Sequence, residues 1–128
     1  MEHGHRPGGE LIYRMIGLAM RVHRRLGPGL LESIYEKCLC FELTRAEIPF
    51  LRQVPLVVRY DDAMRDCGYI ADVIVDNQVI LELKSVERLL WLHEVQLLTY
   101  LRLAECRIGL LINFNTVSLT DGIKRRVL

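Results

Sequence analysis

Residues 79–85 read VILELKS, a short run with the composition of a buried strand that nevertheless carries two opposite charges. Side chains two residues apart on a strand share a face, so Glu82 and Lys84 point the same way. A buried carboxylate costs several kcal/mol unless it is paired, hydrogen-bonded or bound to a metal. The run therefore predicts a strand that carries either a Glu82–Lys84 ion pair or part of a metal site.

The preceding predicted strand contains a second isolated acid, Asp72, in the run YIADVIV. A two-residue loop at 76–77 would place Asp72 on the face opposite to Glu82. A three-residue loop, either 75–77 or 76–78, puts the two carboxylates side by side. The first of these options places an asparagine, which tolerates the left-handed conformation, where that conformation is needed. We therefore predict a loop of odd length or an equivalent bulge.

Two adjacent carboxylates favour a bound divalent cation. At a separation of about 4 Å they repel by about 4 kcal/mol at an effective dielectric constant of about 20. One lysine offsets part of this repulsion, whereas a divalent cation offsets more, and oxygen ligands suit magnesium or manganese. A third acid, Glu32, lies near the start of a predicted helix, where by itself it is explained by the helix dipole.

Helical and alternating hydrophobic patterns follow one another along the chain in the order helix, helix, three strands, helix, strand. This order predicts an α/β fold with a mixed sheet flanked by helices. Pro55 predicts an edge position or a bulge in the first strand. Helices are expected at about 10–26, 30–46 and 87–104, strands at 51–60, 67–75, 79–86 and 106–114, a turn at 61–66, and a further edge strand in the closing GIKRRVL.

The chain of 128 residues is expected to form one domain, 10–128, after a disordered N-terminal tail, 1–9. A net charge of +1 neither requires nor excludes a nucleic-acid partner. The aliphatic runs are far shorter than the roughly 20 residues of a spanning helix, and the N-terminus lacks the apolar segment of a signal peptide. We expect a cytoplasmic protein that does not insert into a membrane.

The four cysteines show neither a C-x-x-C pair nor the spacing of a zinc site. We interpret them as reduced thiols that pack like small hydrophobic residues, without a disulfide partner. The HGH run at 3–5 is read as part of the tail and not as a metal site. The cysteines are Cys38, Cys40, Cys67 and Cys106.

Several of these residues stand in the order of a known family. GLLESIY spells G-x-x-E-x-x-Y, and a lone aspartate, an E-x-K run and HEVQLLTYL follow it. In this order the chain resembles, over about residues 11–115, the GxxExxY family, a small-protein branch of the PD-(D/E)XK nuclease superfamily. Ala71 stands where that pattern has a proline before the aspartate. The matching residues are Gly29, Glu32, Tyr35, Asp72, Glu82 and Lys84.

The resemblance implies a restriction-endonuclease-like αβββαβ core, with a mixed sheet of four to five strands, and a magnesium-dependent nuclease in which manganese can substitute. It also implies a metal site formed by Asp72, Glu82 and the backbone carbonyl of Leu83, with Glu32 as a further contact, often through water. Lys84 would position or activate the attacking water. The expected substrate is DNA, with RNA not excluded.

The third predicted helix adds a polar stripe. Gln96 and Tyr100 resemble a Q-x-x-x-Y motif of related nucleases, and with His93 they lie at i, i+3 and i+7 on one side of the helix. The resemblance implies that Gln96 orients the lysine or binds a phosphate, with Tyr100 and His93 near the nucleic acid. The alternative is that Tyr100 packs in the core with its hydroxyl hydrogen-bonded and Gln96 has a local structural role.

Arg21 and Arg25, on the polar side of the first helix, are candidate phosphate contacts, and an ordinary solvated face is the alternative. A core this small leaves little surface for reading a long sequence. Structure-selective or partner-directed cleavage, or a homodimer with a wider footprint, is therefore expected. Two rival functions stay open: a nucleic-acid-binding or assembly module that does not cleave, and a structural domain with a buried Glu82–Lys84 salt bridge.

Overall fold

A mixed five-stranded sheet flanked by three helices forms the centre of the protein, in a computed structural model that describes residues 9–128. The predicted tail, apart from Gly9, and the HGH run lie outside the described residues. The elements are α1 (Gly9–Leu26), α2 (Glu32–Arg45), β1 (Phe50–Tyr60), β2 (Ala63–Val75), β3 (Val79–Lys84), α3 (Trp91–Ala104), β4 (Ile108–Asn113), a 3-10 turn (Leu119–Gly122) and β5 (Ile123–Val127).

The strands lie in the spatial order β1-β2-β3-β4-β5. All neighbours are antiparallel except β3 and β4, which are parallel. A parallel pair needs a crossover connection, and α3 supplies it. The predicted α/β fold with a mixed sheet, including the closing edge strand, is confirmed.

The sheet separates two layers of hydrophobic side chains. Val79, Leu81 and Leu83 pack on the side of α1 and α2, whereas Ile80 packs on the side of α3. Strand β4 is buried at every position. Because side chains alternate along a strand, the face of β3 that holds Ile80 also holds Glu82, on the α3 side of the sheet.

Two predicted boundaries are wrong. Helix α3 begins at Trp91 and not at 87, because the chain leaving β3 must first pass to the other face of the sheet. Asn113 holds this connection: its side-chain amide donates to the Val86 carbonyl at 3.0 Å, and its Oδ1 accepts from the Val86 N–H at 3.1 Å. Strand β2 already begins at Ala63, so the predicted turn at 61–66 is confined to its first two residues.

Pro55 fits both predicted settings, since β1 is an edge strand and its register with β2 shifts between Pro55 and Val57. All four cysteines are free thiols. Burial raises the pKa of the Cys40 thiol to about 11, which keeps it protonated at neutral pH. Within residues 9–128, the helices lack the combination of length and apolar character needed to cross a membrane.

Candidate functional site

The hairpin between β2 and β3 sets the position of the two acids. Residues 73–75 pair with 79–81, so the connecting loop is 76–78. The first two loop residues, an aspartate and an asparagine, adopt left-handed φ values of 51° and 54°. The prediction of an odd-length loop is confirmed, in the second of its two forms. Continued by one residue, this register places Asp72 opposite Glu82.

At this position the β2–β3 ladder gives way to side-chain contacts. The Asp72 N–H donates to Glu82 Oε2 at 2.8 Å, and the Leu83 N–H donates to Asp72 Oδ2 at 2.8 Å. The two carboxylates therefore lie in the gap between the strands, each held through one oxygen. In the described part of the chain, the second oxygen of each carboxylate accepts no hydrogen bond.

Burial makes these carboxylates difficult to ionise. Desolvation, followed by the neighbouring Asp72 charge, raises the pKa of Glu82 to about 8. Desolvation also raises the pKa of Asp72. Lys84 opposes both shifts through its charge, but among residues 9–128 it forms no salt bridge. The structure therefore does not show the alternative that the sequence left open, an ion pair between Glu82 and Lys84.

Glu32 approaches the same strand end from α2, of which it is the first residue. Its Oε2 accepts a hydrogen bond from the Ser85 N–H at 3.1 Å, and the Ser85 hydroxyl donates to the Leu30 carbonyl at 2.6 Å. Glu32 is therefore fixed next to the residue that follows Lys84. Its charge contributes to the raised pKa of Asp72.

The turn between α1 and α2 explains the G-x-x-E-x-x-Y spacing in physical terms. Gly27 and Gly29 adopt φ values of 71° and 100°, a region that favours glycine. The Tyr35 hydroxyl donates to the Gly27 carbonyl at 2.5 Å and accepts from the Leu30 N–H at 3.2 Å. The glycines turn the chain and the buried tyrosine closes the turn, which together orient the start of α2 and therefore Glu32.

The polar stripe of α3 reaches the site. His93 Nδ1 accepts from the Leu90 N–H at 3.0 Å, which leaves the proton of the neutral ring on Nε2. Burial and the Lys84 charge lower the pKa of His93, against an opposing effect of Glu32. Gln96, half-buried between His93 and Tyr100, forms no hydrogen bond within residues 9–128.

Tyr100, at the far end of this stripe, packs in the core, although its hydroxyl forms no hydrogen bond with the described residues. Its ring is buried in the α3-side core and lies 5.6 Å from the Tyr69 ring, measured between centroids. Desolvation, then the charges of Glu82 and Asp72, raise the pKa of its hydroxyl to about 12. Tyr100 is therefore a core residue whose hydroxyl pKa is affected by the charges of Glu82 and Asp72.

The two arginines of α1 are not gathered with these residues. Arg21 Nε donates to Glu42 Oε2 at 3.3 Å, near the C-terminal end of α2. Arg25 is exposed, in the last turn of α1. Arg21 thus forms a surface ion pair with Glu42. The predicted phosphate contacts of Arg21 and Arg25 stay proposals.

One buried acid near the site was not predicted from the sequence: Glu36, which is only 6% exposed. Its Oε2 accepts from Arg52 Nε at 3.1 Å, and its Oε1 accepts from the Gln53 side-chain amide at 2.8 Å. The Glu36 charge contributes to the raised pKa values of Asp72 and Glu82. The available signal was the i, i+4 spacing from Glu32, which puts both acids on one side of α2.

The donor set fits a hard divalent cation at the acid pair. The buried Glu82 and the half-buried Asp72 each have one carboxylate oxygen without a hydrogen bond in the described chain, and oxygen ligands are those that magnesium prefers. Among residues 9–128, however, no three His, Cys, Asp or Glu side chains are grouped closely enough to hold a metal ion together. Glu32 therefore does not complete a three-residue ligand set, and its predicted contact through water stays a proposal.

A mixed sheet with an acid pair and a lysine where its central hairpin opens is typical of the restriction-endonuclease-like class of nucleases. The chain belongs to the PD-(D/E)XK nuclease superfamily, whose family model matches residues 9–126. Members of this superfamily typically hydrolyse phosphodiester bonds and generally use divalent metals. No curated protein and no solved structure matches the chain.

Proposed function

We propose that this protein is a metal-dependent nuclease of the GxxExxY branch that hydrolyses phosphodiester bonds in DNA. One observation carries the proposal: the buried Glu82 and the half-buried Asp72 lie side by side without a salt bridge to any cation of the described chain. Such a pair is costly unless a ligand neutralises it. A divalent cation is the ligand that fits the superfamily and the oxygen donors.

The residues that would hold magnesium are Asp72, Glu82 and the backbone carbonyl of Leu83, with Glu32 in contact through water. Manganese would substitute, since it favours the same oxygen donors. When bound, the ion lowers the pKa of a coordinated water and stabilises negative charge on the scissile phosphate. The N–H groups that hold one oxygen of each carboxylate fix the orientation of the other oxygen.

Lys84 is the group proposed to act on the attacking water. Its ammonium group is free of salt bridges in the described chain, so it is available to orient this water and to stabilise negative charge developing on the phosphate. Gln96 forms no hydrogen bond with any residue of 9–128, and we assign it to orient Lys84 or a phosphate oxygen. His93 presents Nε2–H as a donor, and Tyr100 closes this side of the cleft.

The substrate proposal follows from the small surface that this domain offers for reading a long nucleotide sequence. We propose structure-selective or partner-directed cleavage of DNA, with RNA as a second substrate to be tested and a homodimer as a means of widening the footprint. Arg21 and Arg25 are proposed as peripheral phosphate contacts, and the cytoplasm is the proposed location.

The test is to incubate the purified protein with labelled single-stranded, duplex and branched DNA in manganese buffer. We expect metal-dependent cleavage that Asp72→Ala and Lys84→Ala each abolish. Asp62→Ala and Lys37→Ala are the matched controls, since both residues are exposed charges, and they should cleave like the unchanged protein. DNA binding without cleavage by every protein would instead favour the non-cleaving module.

A further inference from the structure

A second polar cluster, formed by Glu36, Arg52 and Gln53, lies beside the acid pair. Successive side chains of a regular strand point to opposite faces, so neighbours do not normally reach the same group. Arg52 and Gln53 are successive residues of β1, yet both bond the Glu36 carboxylate. The strand must therefore depart from regular geometry at this point.

The departure lies at Gln53, whose φ is 50°, in the left-handed region. Glutamine has no preference for this region, so the conformation is strained. The pairs on either side, Arg52 with Val73 and Val54 with Ala71, place Gln53 opposite Asp72. The strain thus occurs next to one of the two acids of the proposed metal site, and it turns two donors toward Glu36.

We propose that Arg52 binds a phosphate of the nucleic-acid substrate next to the scissile phosphate, with Glu36 and Gln53 as its positioning residues. The proposal rests on the proposed function for the identity of the substrate. It assigns to β1 a binding role that the family motifs do not include.

The contacts of Arg52 leave it suited to this role. Its Nε and Nη2 atoms lie 3.1 Å and 3.0 Å from a single oxygen, Glu36 Oε2, which fixes the plane of the guanidinium group. A guanidinium has five N–H donors in a rigid fork, so donors remain for a phosphate. The Arg52 side chain is 42% exposed, whereas that of Glu36 is 8% exposed, so the ion pair has one open side.

Electrostatics supports a cation at this place. A phosphate that approaches Asp72, Glu82 and Glu36 meets like charge, and Lys84 lies on β3, on one side of the acid pair only. Arg52 lies on β1, on the other side of β2. A substrate that spans β1 to β3 would therefore meet one cationic side chain from each of these two strands.

The direct test compares Arg52→Ala with Arg45→Ala by measuring binding of a fluorescein-labelled DNA oligonucleotide at several salt concentrations in calcium buffer. Arg45 is the matched control because it also pairs with a glutamate of α2 and is 53% exposed. We expect Arg52→Ala to weaken binding about tenfold and to reduce the salt slope by about one. Arg45→Ala should leave both unchanged, and equal effects of the two variants would overturn the proposal.

A second variant separates binding from folding, since removing Arg52 alone leaves Glu36 buried without its cation. Arg52→Met combined with Glu36→Gln removes both charges and should keep the melting temperature close to that of the unchanged protein. If this double variant is folded and retains the full salt slope, Arg52 has only a structural role and the proposal is wrong. A reduced slope in the folded double variant supports it.

Arg52→Lys gives a readout that a structural role would not produce. A lysine keeps the charge but lacks the planar fork, so it cannot face Glu36 and a phosphate in the same way. We expect Arg52→Lys to bind DNA with the salt slope of the unchanged protein but to cleave it at the low rate of Arg52→Ala. Recovery of both the salt slope and the cleavage rate would contradict the positioning role. If no variant and no unchanged protein cleaves DNA, the proposed function fails, while the binding comparison still tests Arg52 independently.

Discussion

At the scale of single residues, the acid pair is the feature with the largest consequence. Glu82 is 5% exposed and lies beside Asp72, so without a cation its protonated form is favoured in the folded protein. Its pKa rises from the ordinary value of 4.5 to about 8. The folded state therefore binds this proton more tightly than the unfolded state does, and folding becomes linked to pH.

This linkage predicts that the metal-free protein loses stability as pH rises. The contribution is fully present below pH 4.5 and is lost as pH rises through about 8, and its size is about 2 to 5 kcal/mol. Chemical denaturation in EDTA across this range measures it. Glu82→Gln should make the free energy of unfolding less dependent on pH. In the unchanged protein, manganese binds the ionised form and should therefore make the stability rise with pH. A flat profile in the unchanged protein would contradict the assigned burial.

Residue patterns predicted part of this site. Alternation of strand side chains showed that an odd-length loop would bring Asp72 beside Glu82, and the asparagine in the loop favoured that length. The cluster around Glu36 was not predicted, because its strand partners reach it only through the left-handed Gln53. Glutamine has no sequence signal for that conformation, so ordinary alternation puts one of the two donors on the wrong face.

At the scale of elements, the turn between α1 and α2 determines where Glu32 lies. Gly29 adopts a φ of 100°, and open space surrounds the position of an added Cβ. The cost of a side chain there is therefore one of backbone conformation and not of packing. Tyr35, stacked on Phe114 with 4.4 Å between ring centroids, anchors the other side of this turn in the core.

Gly29→Ala should destabilise the protein by about 1 to 2 kcal/mol, because alanine disfavours the left-handed region. Gly17→Ala is the matched control: Gly17 lies within helix α1, also with open space around an added Cβ, and this change should stabilise by about 0.5 to 1 kcal/mol. Urea denaturation measures both free energies of unfolding. Equal stability of the Gly29→Ala variant and the unchanged protein would show that the turn tolerates a side chain.

Element boundaries show where sequence patterns reach their limit. The hydrophobic periodicity of 87–104 is helical throughout, yet α3 begins at Trp91. Residues 85–90 are needed to carry the chain from the sheet to its other face, and Asn113 and Asn115 both donate to the Val86 carbonyl in this segment. Periodicity reports on side-chain burial and carries no information on this long-range connection.

At the scale of the whole molecule, the sheet divides into a buried centre and an exposed end. Strands β3 and β4 are almost entirely buried, whereas the part of the β1–β2 hairpin at 57–66 is mostly exposed. The acid pair lies at the border between these two regions. This placement gives the proposed metal site buried strands on one side and the mostly exposed end of the hairpin on the other.

Hydrogen exchange should reproduce this division. Amides of β3 and β4 are expected to exchange slowest, near the limit set by global unfolding, because they lie in the buried centre of the sheet. Amides at 57–66 should exchange much faster through local opening of the hairpin end. Protection of 57–66 equal to that of β4 would show that this end is covered in solution, by a second copy or by another contact.

The central proposal is that the carboxylates of Asp72 and Glu82 bind a divalent cation. The most direct measurement is an anomalous difference map from crystals grown in manganese. The account predicts a manganese peak bonded at about 2 Å to a carboxylate oxygen of each acid, and no such peak in the Glu82→Ala variant. A manganese-saturated crystal without density between these two side chains would contradict it.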